Sequence, residues 1–179
     1  MKTASPATSR EQGGAGEGLC PEARLSVPTV FNDGRAIVNI DTYVPFFLAT
    51  VNTALSRGAS GIYRERFGIG ITDWRVISML AIEPGITAAR VCEVVKLDKA
   101  ATSRSLTSLE GMGLLRYVTA TTDARRRRWW LNDRGYLLHD EILGVALKRE
   151  ADLVRGVAPE DLEAFLRVMR RMLKNVETL

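Results

Sequence analysis

From Tyr43 onward, apolar residues return every three to four positions in blocks separated by Gly, Pro or capping residues, the spacing of helices that bury one face. The first block, Tyr43, Phe46, Phe47, Val51 and Leu55, stands behind the capping pair Asp41-Thr42 and predicts a helix running to Phe67. Pro45 falls in its first turn, where a missing N–H has no intrahelical partner to lose. Thr72-Asp73 reads as the cap of a second helix carrying Trp74, Ile77, Met79 and Leu80 and stopped by Pro84-Gly85. A short third helix follows Thr87, and Asp98 caps a fourth, Lys99 to Met112, with Leu106 and Leu109 facing inward. The last helix opens at Pro159-Glu160 and carries Leu162, Phe165, Leu166, Met169, Met172, Leu173 and Val176 as one apolar stripe.

Between the fourth helix and the later ones the period changes. Gly111 to Gly113 ends the helix, and Leu114 to Ala120 is a run of β-branched and aromatic residues that reads as a strand. Thr121-Thr122-Asp123-Ala124 supplies a turn, Arg125 to Arg128 are four consecutive cations, and Trp129-Trp130-Leu131 returns as a second strand. A polar helix followed by a basic hairpin is an order that suits DNA. The face formed by Lys99, Ala100, Thr102, Ser103, Arg104 and Thr107 is small or polar, so it permits close approach to a major groove and reaches base edges or phosphates. Adjacent arginines repel one another and suit the negative potential of a narrow minor groove.

Charge sharpens this reading once it is divided along the chain. The net charge of 179 residues is +4, yet Ile86 to Gly135 holds ten Arg or Lys against five Asp or Glu, and the remainder fifteen against sixteen. A local basic excess serves a polyanion, because each neutralised phosphate releases condensed counterions. Residues 1–24, rich in Ala, Ser, Gly and Pro, read as a flexible tail, and 25–40, with the turn signal Asn32-Asp33-Gly34, as an extended arm. Cys20 and Cys92 lie far apart in unlike contexts, which argues against a disulfide framework or a zinc set, and no metal or other cofactor is expected. One histidine, His139, without a phosphate loop or nucleophile elbow, argues against an enzyme. No apolar run approaches the length of a membrane span and no secretory region follows the N-terminus, so the expected location is the cytoplasm.

Particular motifs then carry a family likeness. Ser103-Arg104, Leu109-Glu110 and Gly113-Leu114-Leu115, followed by Asp123-Ala124-Arg125 and Leu131-Asn132-Asp133-Arg134-Gly135, resemble the recognition helix, wing and following helix of the MarR family of bacterial regulators. The resemblance covers roughly Tyr43 to the C-terminus, with Ala124 and Asn132 departing from the usual residues. It implies a mainly α fold with a small β-hairpin wing: a winged helix-turn-helix at about 72–131 and dimerisation helices at about 41–67 and 132–179, together spanning 41–179. It implies a homodimer on a pseudo-palindromic double-stranded operator, acting as a repressor, with Thr87, Lys99, Ala100, Thr102, Ser103, Arg104, Thr107, Asp123, Arg125, Arg126 and Arg127 as DNA-contacting residues.

It also implies a small-molecule effector, an aromatic carboxylate or its thioester, beside Tyr43, Phe47, Trp74, Arg75 and His139. Aromatic walls match a planar ring, and a guanidinium pairs a carboxylate. Two alternatives accompany this reading. One is a redox-sensing regulator of the same fold acting through Cys92, near Arg90 and Lys96. The other is an architectural DNA- or RNA-binding module with no effector, which would show steep salt dependence without operator preference.

Overall fold

The computed structural model describes residues 24–120 and 123–179, without the side chains of residues 120 and 123–126. Residues 1–23 of the expected tail, with Cys20, and the expected turn residues Thr121 and Thr122 lie outside the described residues. The chain divides into two units, one ending at Gly58 and the other running from Ala59 to Leu179.

In the first unit, strands β1 (Thr29–Asn32) and β2 (Arg35–Val38) form an antiparallel hairpin in the register Thr29 to Val38 and Asn32 to Arg35. Asp33 and Gly34 carry it around with φ of 48° and 75°. Two successive positive φ values are what a two-residue hairpin turn with the strands' own twist requires, hence Asp-Gly. The Asn39 N–H donates to the Pro28 carbonyl at 2.9 Å and closes the base. Helix α1 (Val44–Phe67) follows, its residues from Ala59 on belonging to the second unit. Thr42 does not cap it as the sequence suggests: its Oγ1 donates to the Val27 carbonyl at 2.5 Å, and its own carbonyl accepts from Arg24.

In the second unit, α2 (Ile71–Ile82) is capped at Gly70 and not at Thr72-Asp73. Asp73 lies inside the first turn and reaches back, its Oδ2 accepting the Gly70 N–H at 3.0 Å. Thr87 caps α3 (Ala88–Val95) by accepting the Arg90 N–H at 3.3 Å, and Asp98 caps α4 (Lys99–Gly111) by accepting the Ala101 N–H at 2.7 Å. Both caps agree with the residue types in the sequence. Between the two helices Lys96 takes a left-handed φ of 54° to make the tight turn.

Strand β3 (Ile86–Thr87) pairs with β5 (Asp123–Leu131), and β5 pairs with β4 (Leu115–Ala120), giving an antiparallel sheet of order β3-β5-β4. The sequence reading began the returning strand at Trp129, but pairing with β4 extends it back to Asp123, so the arginine run lies within a strand. Ladder bonds use the backbone and accept any side chain whose charge can face solvent. Helix α5 (Asp133–Leu153) is capped by Asn132, which accepts the Gly135 N–H at 2.9 Å. Gly135 is required there because a Cβ would drive into the Leu114 carbonyl oxygen, well inside contact distance. Helix α6 (Pro159–Val176) closes the chain.

Val76, Ile77 and Leu80 of α2, Val91 of α3, Leu109 of α4 and Ile142 of α5 are each 0% exposed and form the centre of the core. Full burial of such side chains stabilises the fold by about 1.5–3 kcal/mol each. This core holds α3, α4 and the base of the sheet in a fixed relation.

Candidate nucleic-acid interface

Helix α4 has two distinct faces. Leu106 and Leu109 are buried, while Lys99, Ala100, Ser103, Arg104 and Thr107 are exposed, as the sequence pattern requires. Thr102 departs from the expectation: it is 0% exposed, and its Oγ1 accepts from Cys92 Sγ of α3 at 3.2 Å. Its place three residues before Ser105 and four before Leu106 puts it on the inward stripe. A small polar residue on that stripe is not distinguishable from an outward one by polarity alone. Thr102 is therefore removed from the groove-facing set.

Five of the expected DNA-contacting residues line a single cleft of about 510 Å³. Thr87 and the first residues of α3, Ala88 and Ala89, form one side; Lys99, Ser103 and Thr107 of α4 form another; Arg127 and Trp129 of β5 form the third. Lys99, Ser103 and Thr107 are four residues apart in succession and so stand in a row along α4. The first turn of a helix carries N–H groups without intrahelical partners and the positive end of its dipole. With Lys99 and Arg127 facing the same space, the cleft is suited to a phosphate oxyanion.

Among the described side chains, three cations of the wing are held individually. Arg127 lies 4.1 Å from the Tyr117 ring centre and 5.8 Å from that of Trp129, with Nη1 3.8 Å from Glu110 Oε2. Arg128 donates to the Gly85 carbonyl at 3.1 Å, and Arg116 lies 4.8 Å from the Trp130 ring centre. Ring faces offset cation repulsion and set the direction of each guanidinium. Arg116 was not singled out from sequence, and Arg128 and Glu110 entered there only as parts of the arginine run and of the helix motif. Asp123, Arg125 and Arg126 are in β5, and their side chains lie outside the described residues. Arg90, counted in the local basic excess, pairs with Glu93 at 3.0 Å and Glu83 at 3.4 Å, and the hydrogen bond to Glu93 raises its pKa further. It adds little free positive charge.

The effector candidates fall in both units. Tyr43 and Phe47 belong to the first and are exposed there, with Phe47 edge-on to Phe46 at 6.3 Å. In the second unit, the Trp74 ring lies 5.6 Å from that of His139 and 6.1 Å from that of the buried Tyr63. His139 Nδ1 is 2.9 Å from Asp140 Oδ1, and Arg75 is half-buried. Tyr63, missed in the sequence, has its hydroxyl pKa pushed above the ordinary value by burial, with Arg149 acting in the opposite sense. Cys92 is half-buried and its thiol is engaged with Thr102. Among the described residues no group of three or more His, Cys, Asp or Glu could hold a metal ion, and no helix is long and apolar enough to cross a membrane.

Comparison with known proteins gives a consistent picture. Residues 67–126 match the sequence profile described as the MarR family. The chain is similar to a MarR/EmrR family transcriptional regulator from Acinetobacter sp. ADP1, with 25% identity and a TM-score of 0.73 over 79% of this chain and 100% of the other. It shares its fold with S. aureus MepR, solved as a DNA complex, at 19% identity and a TM-score of 0.67, covering 77% of this chain and 99% of that one. It shares it also with the PcaV transcriptional regulator from Streptomyces coelicolor, solved with its natural ligand, at 24% identity and a TM-score of 0.64 over 78% and 98%.

Proposed function

Because the chain belongs to the MarR family of transcriptional regulators, DNA-binding proteins and not enzymes, we propose that it is a homodimeric repressor of a pseudo-palindromic operator, released by a small aromatic carboxylate or its thioester. The observation that carries DNA binding is the convergence of Thr87, Lys99, Ser103, Thr107 and Arg127 on one cleft beside the exposed face of α4. In this reading α4 enters the major groove, where Ala100 permits approach and Ser103, Arg104 and Thr107 reach base edges. Thr87, Lys99 and the α3 N-terminus hold a phosphate, while Arg127 with Arg125, Arg126 and Asp123 forms the wing contact. The MepR structure with DNA supports the use of this fold on a duplex.

Dimerisation is supported by α6, which has no buried residue in 18 and leaves Phe165 54% and Leu173 58% exposed. An amphipathic helix gains most of its stability from covering its apolar face, and a second protomer is the commonest cover. Leu166→Glu is expected to convert a dimer into monomer or unfold it in sedimentation equilibrium; a wild-type monomer at micromolar concentration overturns this part.

Effector release is supported by the neighbouring Tyr63, Trp74 and His139 rings of the second unit, and by the ligand-bound PcaV relative. A ligand releases DNA only if it binds the non-binding arrangement better, each tenfold difference being worth about 1.4 kcal/mol. The test selects a duplex from a random pool with the wild-type protein, then titrates benzoate, cinnamate and 4-hydroxybenzoate against the complex, with Arg75→Ala alongside. Release by one of them, weakened in Arg75→Ala, is expected. No release, or an Arg75→Ala response equal to wild type, overturns the ligand class or its anchor.

A further inference from the structure

Two polar side chains are buried on α4, and one of them is held by a charge. Ser105 is 4% exposed, and its Oγ donates to Asp73 Oδ1 at 2.5 Å across 32 residues of sequence. The other oxygen of that carboxylate, Oδ2, accepts the Gly70 N–H at 3.0 Å. One carboxylate thus closes the first turn of α2 and grips the middle of α4, both oxygens having a donor. Around it, Thr72, Ala101, Arg104 and Ser108 border a notch of about 260 Å³.

We infer that the Ser105–Asp73 hydrogen bond fixes the rotation of α4 about its own axis and thereby sets operator specificity, with Ser105 and Asp73 as positioning residues that touch no DNA. The inference rests on α4 being the DNA-reading helix. Leucine contacts such as those of Leu106 and Leu109 resist separation of the helices but are non-directional and tolerate small rolls. A charge-assisted hydrogen bond is directional and weakens steeply with misalignment. Side-chain ends lie roughly 5–6 Å from a helix axis, so a roll of about 20° moves them by about 2 Å, enough to lose a hydrogen bond to a base edge. Ser103 is two residues from Ser105, about 200° around the helix, so holding one inward holds the other outward. Phosphate contacts, reached by long flexible side chains such as Lys99, tolerate such a roll far better than base contacts do.

The signature is a change in discrimination without a change in general DNA affinity. The experiment uses the full-length dimer and the duplex selected by wild-type protein, measuring its Kd and that of a scrambled duplex of equal length, across a salt series. Ser105→Ala is expected to lower the ratio of the two affinities by about tenfold, the equivalent of about 1.4 kcal/mol. The scrambled-duplex affinity and the salt slope should stay at wild-type values. Alanine is the better helix former, so the fold is expected to persist. A variant that is merely less folded would lose both affinities in parallel and leave the ratio alone.

Asp73→Ala, which removes the acceptor from the other side, should lower the ratio similarly, and the double variant should add no further loss. An unchanged ratio in Ser105→Ala, a parallel fall in both affinities, or full additivity in the double variant overturns the inference. Arg104→Ala and Lys99→Ala separate this from failure of the underlying reading. If those variants leave all DNA affinity untouched, α4 is not the reading helix; if they weaken binding while Ser105→Ala keeps the ratio, only the positioning role falls.

Discussion

Among the described residues, two antiparallel hairpins meet water in opposite ways. In the wing, Leu115, Trp129 and Leu131 are buried at the base, the Tyr117 ring lies tilted against that of Trp129 at 5.1 Å, and β3 covers one edge through Ile86 and Thr87. Arg116, Arg127 and Arg128 are exposed on the same two strands. In the first hairpin no residue of either strand is buried, and Val30, Phe31, Ile37 and Val38 are all exposed. Opposed residues share a face, so Val30 with Ile37 lies on one side and Phe31 with Ala36 on the other. A two-stranded hairpin is marginal in water on its own. The difference teaches that alternation alone does not make a hairpin part of a core; a covered edge and one consistently apolar face do.

The largest expected effect lies at the covered base. Trp129 is 5% exposed and touches both the hydrophobic core and the Arg127 guanidinium. Trp129→Ala should destabilise the fold by about 3–5 kcal/mol, read as a lower urea midpoint at unchanged slope. A loss below about 1 kcal/mol would break the contrast, since the wing base would then be no better packed than the first hairpin.

Farther along β5 the effect should move from stability to affinity. Arg125→Ala is expected to leave thermal unfolding within about 1–2 °C of wild type while weakening binding to any duplex, selected or scrambled. If it removes one phosphate contact, the slope of log K against log salt falls by about 0.9. Unchanged affinity and slope in filter binding or fluorescence anisotropy would take the wing out of the interface.

How far the sequence carries these conclusions depends on which physical signal each element leaves. Helix starts at Ala88 and Lys99 were legible because Thr87 and Asp98 are caps of the right type in the right place. The cap of α2 was misread because Asp73 acts from inside the turn, returning to Gly70, and a glycine cap leaves no side-chain mark. Burial of Thr102 and Ser105 was not legible, since polarity predicts exposure unless a partner is known. Their partners, Cys92 and Asp73, lie 10 and 32 residues away and come near only through the fold. That Thr87, Lys99, Ser103, Thr107 and Arg127 share one cleft was not legible, because three separate elements build it.

The smallest expected effect is at the first hairpin, where it tests whether exposure is the hairpin's working condition. Phe31 is 59% exposed and faces the same side as Ala36, so replacing it by serine removes little buried area in a single protomer. Phe31→Ser should therefore change the unfolding free energy by no more than about 0.5 kcal/mol. For a chain of this length that corresponds to a shift in Tm of roughly 1–2 °C. The measurement is differential scanning calorimetry at several protein concentrations, with circular dichroism confirming that helix content is kept. Concentration matters because a surface covered only in an assembly is stabilised by mass action and not by the protomer's own contacts. A Tm that falls by about 5 °C or more, most strongly at high concentration, would show that Phe31 is buried in the working form. The two hairpins would then differ in who covers them, the wing by its own chain and the first by another, and no longer in whether they are covered at all.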